Sequence, residues 1–265
     1  MIKKTCFLLL FFSIFWSCKE DPKSQPEPQP HTEEKESFSL IPKNLSVQDF
    51  AACKDKACPE IRITYAEVKG NYTHAAELNQ ALKRHLVGIV DANLQMDLNN
   101  ADLKKAVNYF IEDYFKFKTE FDATNIGYEL EMEQSLLAET PQLLSFKTKF
   151  YIFTGGAHGY GATNYLNFDR ESGKILTKKD LFTDIDAFQE YAEEKFREKY
   201  HIAKGESINA TGFLFEENEF KLPQNIGFTE DEVLLLYHPY EAASYAEGSL
   251  KLRFRKDKIQ QWLAY

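Results

Sequence analysis

Residues 154–182 read TGGAHGYGATNYLNFDRESGKILTKKDLF, and the rest of the chain is organised around them. Ahead of this stretch Leu144, Phe146, Thr148, Phe150 and Ile152 alternate with period two, as one face of a strand does. Beyond the glycines the alternation resumes, with Tyr165 and Asn167 on one face and Leu166 and Phe168 on the other. A plain hairpin needs one or two glycines. Gly155, Gly156, Gly159 and Gly161 therefore predict unusual backbone angles or the close approach of another group. Glu171-Ser172-Gly173-Lys174 reads as a turn with glycine at the left-handed position, feeding a short strand from Ile175 to Thr177.

Toward the N-terminus, Ile61, Ile63 and Tyr65 mark a strand that ends near Gly70. From Thr73 the period lengthens, and Leu78, Leu82, Leu86, Ile89 and Val90 predict a helix. A second helix, capped by Asn99 or Asn100, carries Leu103, Val107, Phe110, Ile111, Tyr114 and Phe121 in one apolar stripe. Tyr128, Leu130 and Met132 then alternate with Glu129, Glu131 and Glu133, giving a strand with one acidic face that is expected to be solvated. Toward the C-terminus, Asp184 or Asp186 caps a helix with Phe188, Ala192, Phe196 and Tyr200 on its apolar side. Residues 204–227 are poorly periodic and read as a long ordered loop with one short strand. Glu232 to Tyr237 is a buried strand, Leu250, Leu252 and Phe254 alternate against Lys251, Arg253 and Arg255, and a short helix follows to Trp262. The order gives an α+β fold: a mainly antiparallel sheet with two consecutive N-terminal helices and one inserted helix.

Two blocks carry a family resemblance. Residues 154–182, together with 236–248, LYHPYEAASYAEG, resemble the central and C-terminal signatures of a bacterial extracytoplasmic domain family. That family includes the lysozyme-sensing domain of the anti-sigma factor RsiV and the N-terminal region of the peptidoglycan deacetylase PdaC. The similarity runs from about Glu60 to the C-terminus, with the helical part matched only in pattern, and His238 stands where the family leads one to expect Asn or Gln. The resemblance implies a binding module for a lysozyme-like muramidase, a cationic protein, or for peptidoglycan glycan. The alternative it leaves is an enzyme, or an enzyme accessory domain, acting on envelope polysaccharide. Gly155, Gly156, His158, Tyr160, Asn164, Tyr240 and Tyr245 are the candidate binding residues.

The N-terminal segment divides as 1–17, a lipoprotein signal peptide; 18–37, a lipidated cysteine and Pro-rich tether; and 38–265, the domain. Lys3 and Lys4 precede a short apolar run from Cys6 to Trp16, and Phe15-Trp16-Ser17-Cys18 looks like a lipobox, which makes Cys18 the lipidation site. A conventional signal peptide or an uncleaved anchor is the competing reading. Pro22, Pro26, Pro28 and Pro30 then make an extended polar spacer. Lys19-Glu20-Asp21 resembles the export tag of Bacteroidota-type lipoproteins. The expected location is the outer membrane, facing the periplasm or the cell surface, with the N-terminal lipid as the only membrane contact.

Cys53 and Cys58 flank a four-residue polar loop. In an oxidising compartment they read as a structural disulfide, the alternatives being a metal pair or a redox pair. With 32 basic against 41 acidic residues the net charge is −9, which argues against nucleic acid and anionic lipid headgroups and suits a cationic protein. No Gly-x-Ser-x-Gly elbow, His-Glu-x-x-His pair or phosphate loop is present, so no catalytic residue, metal site or cofactor is assigned.

Overall fold

Period-two alternation builds the strands and period-3.6 stripes build the helices. The computed structural model describes residues 38–91, 96–121 and 126–265, all within one compact unit, Glu36–Tyr265. The signal-peptide, Cys18 and tether assignments lie outside the described residues. In chain order come β1 (Ser39–Ser46), β2 (Glu60–Lys69), α1 (Ala75–Val90), α2 (Leu103–Phe121), β3 (Glu129–Glu139), β4 (Leu143–Phe153), β5 (Tyr160–Asp169), β6 (Ile175–Leu176), α3 (Ile185–Tyr200), β7 (Ile226–Phe228), β8 (Glu232–Tyr237), β9 (Leu250–Arg255) and α4 (Lys256–Ile259).

Strands β1 to β6 lie side by side in sequence order, and β7, β8 and β9 form a second sheet. Every pairing is antiparallel except β2 with β3, where Ile63 lies beside Met132. A parallel neighbour needs a long crossover, and α1 and α2 supply it. The fold is α+β, with α3 inserted between the two sheets in sequence.

The helices α1 and α2 cover one face of the first sheet. Leu86, Val87, Val107 and Ile111 bury against Ile61, Ile63, Leu130 and Met132, while Leu78 and Leu82 meet Leu144, Phe146 and Phe168. A third core, drawn from α3 and the second sheet, takes in Leu143 and Leu176 of the first sheet. Phe188, Ala192 and Phe196 of α3 are fully buried there.

Three expectations need correcting. The strand β1 went unforeseen because Pro42, Lys43 and Asn44 interrupt its pattern; as an outer strand it pairs only with β2, where proline is tolerated. The cap of α2 is Asp102, whose Oδ1 accepts from Lys105 N–H at 3.1 Å; Asn99 and Asn100 belong to a separate short 3-10 turn. Phe121 ends the helix 67% exposed and outside the stripe. The acidic face of β3 lies at the surface as expected, where Arg62 on β2 meets Glu129 at 3.0 Å and also bonds Glu131. At the other helix, Asp184 caps α3 by accepting from Ala187 N–H at 3.0 Å. Cys53 and Cys58 are joined, their Cα atoms 5.6 Å apart, and both sulfur residues pack on the core beneath α2.

One partly buried side chain makes stability pH-dependent. His85 lies on α1 between Leu82 and Leu86, and its Nε2 is buried with no hydrogen-bond partner among the described residues. Burial pushes its pKa from 6.5 down to about 4. A histidine held neutral in the fold contributes stability above its unfolded pKa and loses it as pH falls toward the folded value. Between pH 7 and pH 5 the wild type should therefore lose about 2 kcal/mol that His85→Leu does not lose, as read from urea unfolding at the two pH values. Equal losses in both proteins would show that His85 is not held neutral.

Candidate functional site

The hairpin loop between β4 and β5 is gripped by its neighbours, and two of the four glycines in this stretch are needed for that. Gly155 holds φ +83°, and a Cβ there would stand 3.1 Å from both Phe117 and Ile126. A Cβ on Gly159 would fall inside the Tyr151 ring, 2.3 Å from Cζ. Gly161 has ordinary contact distance to Tyr151, and a Cβ on Gly156 would meet only His158 O, at 4.0 Å. The glycine excess thus serves close packing at Gly155 and Gly159. The side chain between them, His158, is left at the surface.

The second block meets this loop. After β8 the chain turns through His238-Pro239-Tyr240-Glu241, with Tyr240 N–H donating to Ala243 O at 3.0 Å and Glu241 N–H to His238 O at 3.0 Å. Ala242 and Ala243 are buried and seat the turn. The short 3-10 turn that follows carries Tyr245 to the glycine loop, where its hydroxyl donates to Gly159 O at 3.1 Å. The His158 and Tyr245 rings stack at 4.5 Å and 25°, and Tyr245 stacks in turn on Tyr240 at 5.7 Å and 28°. Residues from two distant parts of the sequence so form a three-ring ladder.

Tyr240 is its outermost ring, 68% exposed, with φ +70°. A bulky side chain rarely adopts that region, and such strain persists only when the surroundings hold it. Glu241 and Glu247 are exposed beside the ladder. Tyr160 starts β5 and is 40% exposed, with Phe150 at 5.9 Å. Its hydroxyl pKa is raised, chiefly by burial and then by the Glu241 carboxylate. Asn164 sits farther along β5, half-buried and paired with Thr148, outside the ladder.

The residue that joins the two blocks was not among those singled out from the sequence. Asn225 Oδ1 accepts from Tyr165 N–H at 2.7 Å, and its Nδ2 donates to Thr163 O at 2.7 Å. Its side-chain amide thus occupies the edge of β5 as a neighbouring strand's peptide would. Nδ2 also lies 3.1 Å from His238 Nε2, so this ring nitrogen accepts and the proton is on Nδ1. Burial lowers the His238 pKa, in keeping with a neutral ring, against the opposing pull of Glu241. The reverse stitch comes from the first sheet: Asn167 Nδ2 donates to Ile226 O at 2.7 Å, and Ser145 Oγ accepts from Phe228 N–H at 3.2 Å. Between them Gly227 lies against the Tyr165 ring, 2.6 Å from where its Cβ would be. Tyr237, within the second block, is a core residue whose hydroxyl donates to Lys221 O at 2.8 Å.

Among the described residues no three His, Cys, Asp or Glu side chains converge as a metal site would require. No helix there is long and apolar enough to cross a membrane.

Residues 52–160 match the family model described as Deacetylase PdaC. Residues 176–257 match the model described as Protein of unknown function (DUF3298). Two crystal structures share the fold. A DUF3298 family member from Bacteroides fragilis NCTC 9343 aligns with TM-score 0.58 and 16% identity, over 87% of this chain and 94% of its own. A DUF3298 family protein from Pseudomonas aeruginosa PAO1 aligns with TM-score 0.56 and 18% identity, over 86% and 94%. A search of curated proteins found no match.

Proposed function

We propose a binding function for this chain, which belongs to the family type that joins a PdaC-like region to a DUF3298 domain. The His158–Tyr245–Tyr240 ladder is the docking surface, and a cationic muramidase of lysozyme type is the partner. The observation that carries this is Tyr240: a tyrosine held at positive φ with most of its ring in solvent is costly to the fold and contributes little packing to it. Exposed tyrosines on a rigid frame offer large contact area at low entropic cost, and such rings dominate binding surfaces. Glu241, Glu247 and a net charge of −9 favour a cationic partner and speed its approach.

A second reading, cell-wall glycan, draws on the two stacked tyrosines, whose apolar faces also suit the faces of sugar rings. In either case the domain would act from a lipid at Cys18, at the end of its Pro-rich tether. Calorimetric titration of the chain with a lysozyme-type muramidase, and separately with soluble peptidoglycan fragments, tests the readings. Saturable muramidase binding that weakens with salt is expected. Binding of fragments alone would favour the glycan reading, and binding of neither would overturn both.

A further inference from the structure

A groove of about 440 Å³ runs between the C-terminal half of α3 and the outer strand β9 of the second sheet. In a chain with more acids than bases, it is lined by six cations, Lys195, Lys199, Lys251, Arg253, Arg255 and Lys258, and by no carboxylate. Its apolar floor includes Tyr191 and Phe254, whose rings are 5.9 Å apart. Four carboxylates balance part of this charge from outside the lining: Glu194 and Glu198 at Lys195, Glu232 at Arg253, and Asp257 at Arg255 and Lys258. Lys199 and Lys251 have no carboxylate within ion-pair distance among the described residues.

Helix polarity accounts for cations at the end of α3, and charged side chains guard outer strands against pairing. Neither accounts for their convergence on one concave surface with an aromatic floor. Lys251, Arg253 and Arg255 occupy alternate exposed positions of β9, about 6.6 Å apart, on the strand side opposite Leu252 and Phe254, and line the groove from its outer edge. The Lys199 ammonium donates to Lys251 O at 2.6 Å, so the free edge of β9 is capped there against an added strand. That cap disfavours an extended peptide pairing with β9. Burial and the neighbouring Lys251 cation both lower the Lys199 pKa, a cost that an anion between the two would relieve.

We infer that this groove is a binding site for a linear anionic glycan, with repeated carboxylate or phosphate groups along the cation row and sugar rings against the apolar floor. It involves none of the ladder residues and stands or falls independently of the muramidase reading. The test is calorimetric titration of the chain at low and at physiological salt with three probes: an oligogalacturonate, a polyglycerol phosphate oligomer and neutral dextran. The expected result is binding of at least one anionic probe, weakened by salt, and none of dextran; the arm that binds identifies carboxylate or phosphate as the recognised group. The double variant Lys251→Glu/Lys258→Glu, both exposed side chains, should weaken that binding at least tenfold with an unchanged melting temperature and unchanged muramidase titration. No binding of either anion at low salt, equal binding of dextran, or full affinity in the double variant would overturn the assignment.

Discussion

Asn225→Leu is expected to destabilise the protein by about 3 kcal/mol or more, among the largest effects of any single polar substitution in it. Leucine has the same branched four-atom shape and is larger, so the loss is not a cavity. It strands Tyr165 N–H and Thr163 C=O, which the asparagine amide satisfies at 2.7 Å each, and it removes the partner of His238 Nε2. Each buried group left without a partner costs about 1–3 kcal/mol. Asn225 is 9% exposed, so water cannot readily replace the lost contacts. Asn225→Asp keeps an acceptor for Tyr165 but loses both donors, and should fall between the two. Urea unfolding measures this directly; a change below about 1 kcal/mol for the leucine variant would mean the two sheets do not depend on this stitch.

Phe196→Ala should cost about 3–5 kcal/mol, the range for emptying a fully buried aromatic site. The ring is 0% exposed and is the hub around which the poorly periodic segment after α3 folds. Its centroid lies 4.5 Å from Tyr200, 4.8 Å from Phe213, 5.2 Å from Phe215 and 5.4 Å from Phe220. Losing it removes contacts from all four at once, and three of them, Phe213, Phe215 and Phe220, come from a segment with almost no regular backbone pairing of its own. The variant should therefore become protease-sensitive between 201 and 225 before the six-stranded sheet unfolds. Cleavage spread evenly over the chain would contradict that role.

Local pattern made much of this fold legible. The alternation of Leu144 to Ile152 and the resumed alternation near Tyr165 are β4 and β5, and the glycine at 173 does hold positive φ, +68°. The helical stripes of α1, α2 and α3 and the spacing of the cysteines also read through, because each depends on residues close in sequence. What stayed hidden depends on distant partners. Phe213, Phe215 and Phe220 follow no period because they point at one residue, Phe196, and not at one face of an element. Asn225 carries no local mark of its task, since its partners on β5 lie about sixty positions earlier. The stacking of His158 on Tyr245 joins two blocks that sequence could only propose separately, while Asn164, read as part of the same loop surface, falls within the sheet. Lys251, Arg253 and Arg255 are visible as the polar side of a strand, but the groove needs α3 laid beside it.

The central claim is that the ladder is held for a partner, and Tyr240→Gly tests it most directly. Glycine accepts φ +70° without strain, and so little of the ring is buried that the fold loses little packing. The melting temperature should hold or rise. Affinity for the muramidase should fall by about tenfold or more, the effect of removing an exposed aromatic anchor of a binding surface. Unchanged affinity in a protein of equal or greater stability would contradict the account and leave the ladder as an architectural joint between the two blocks.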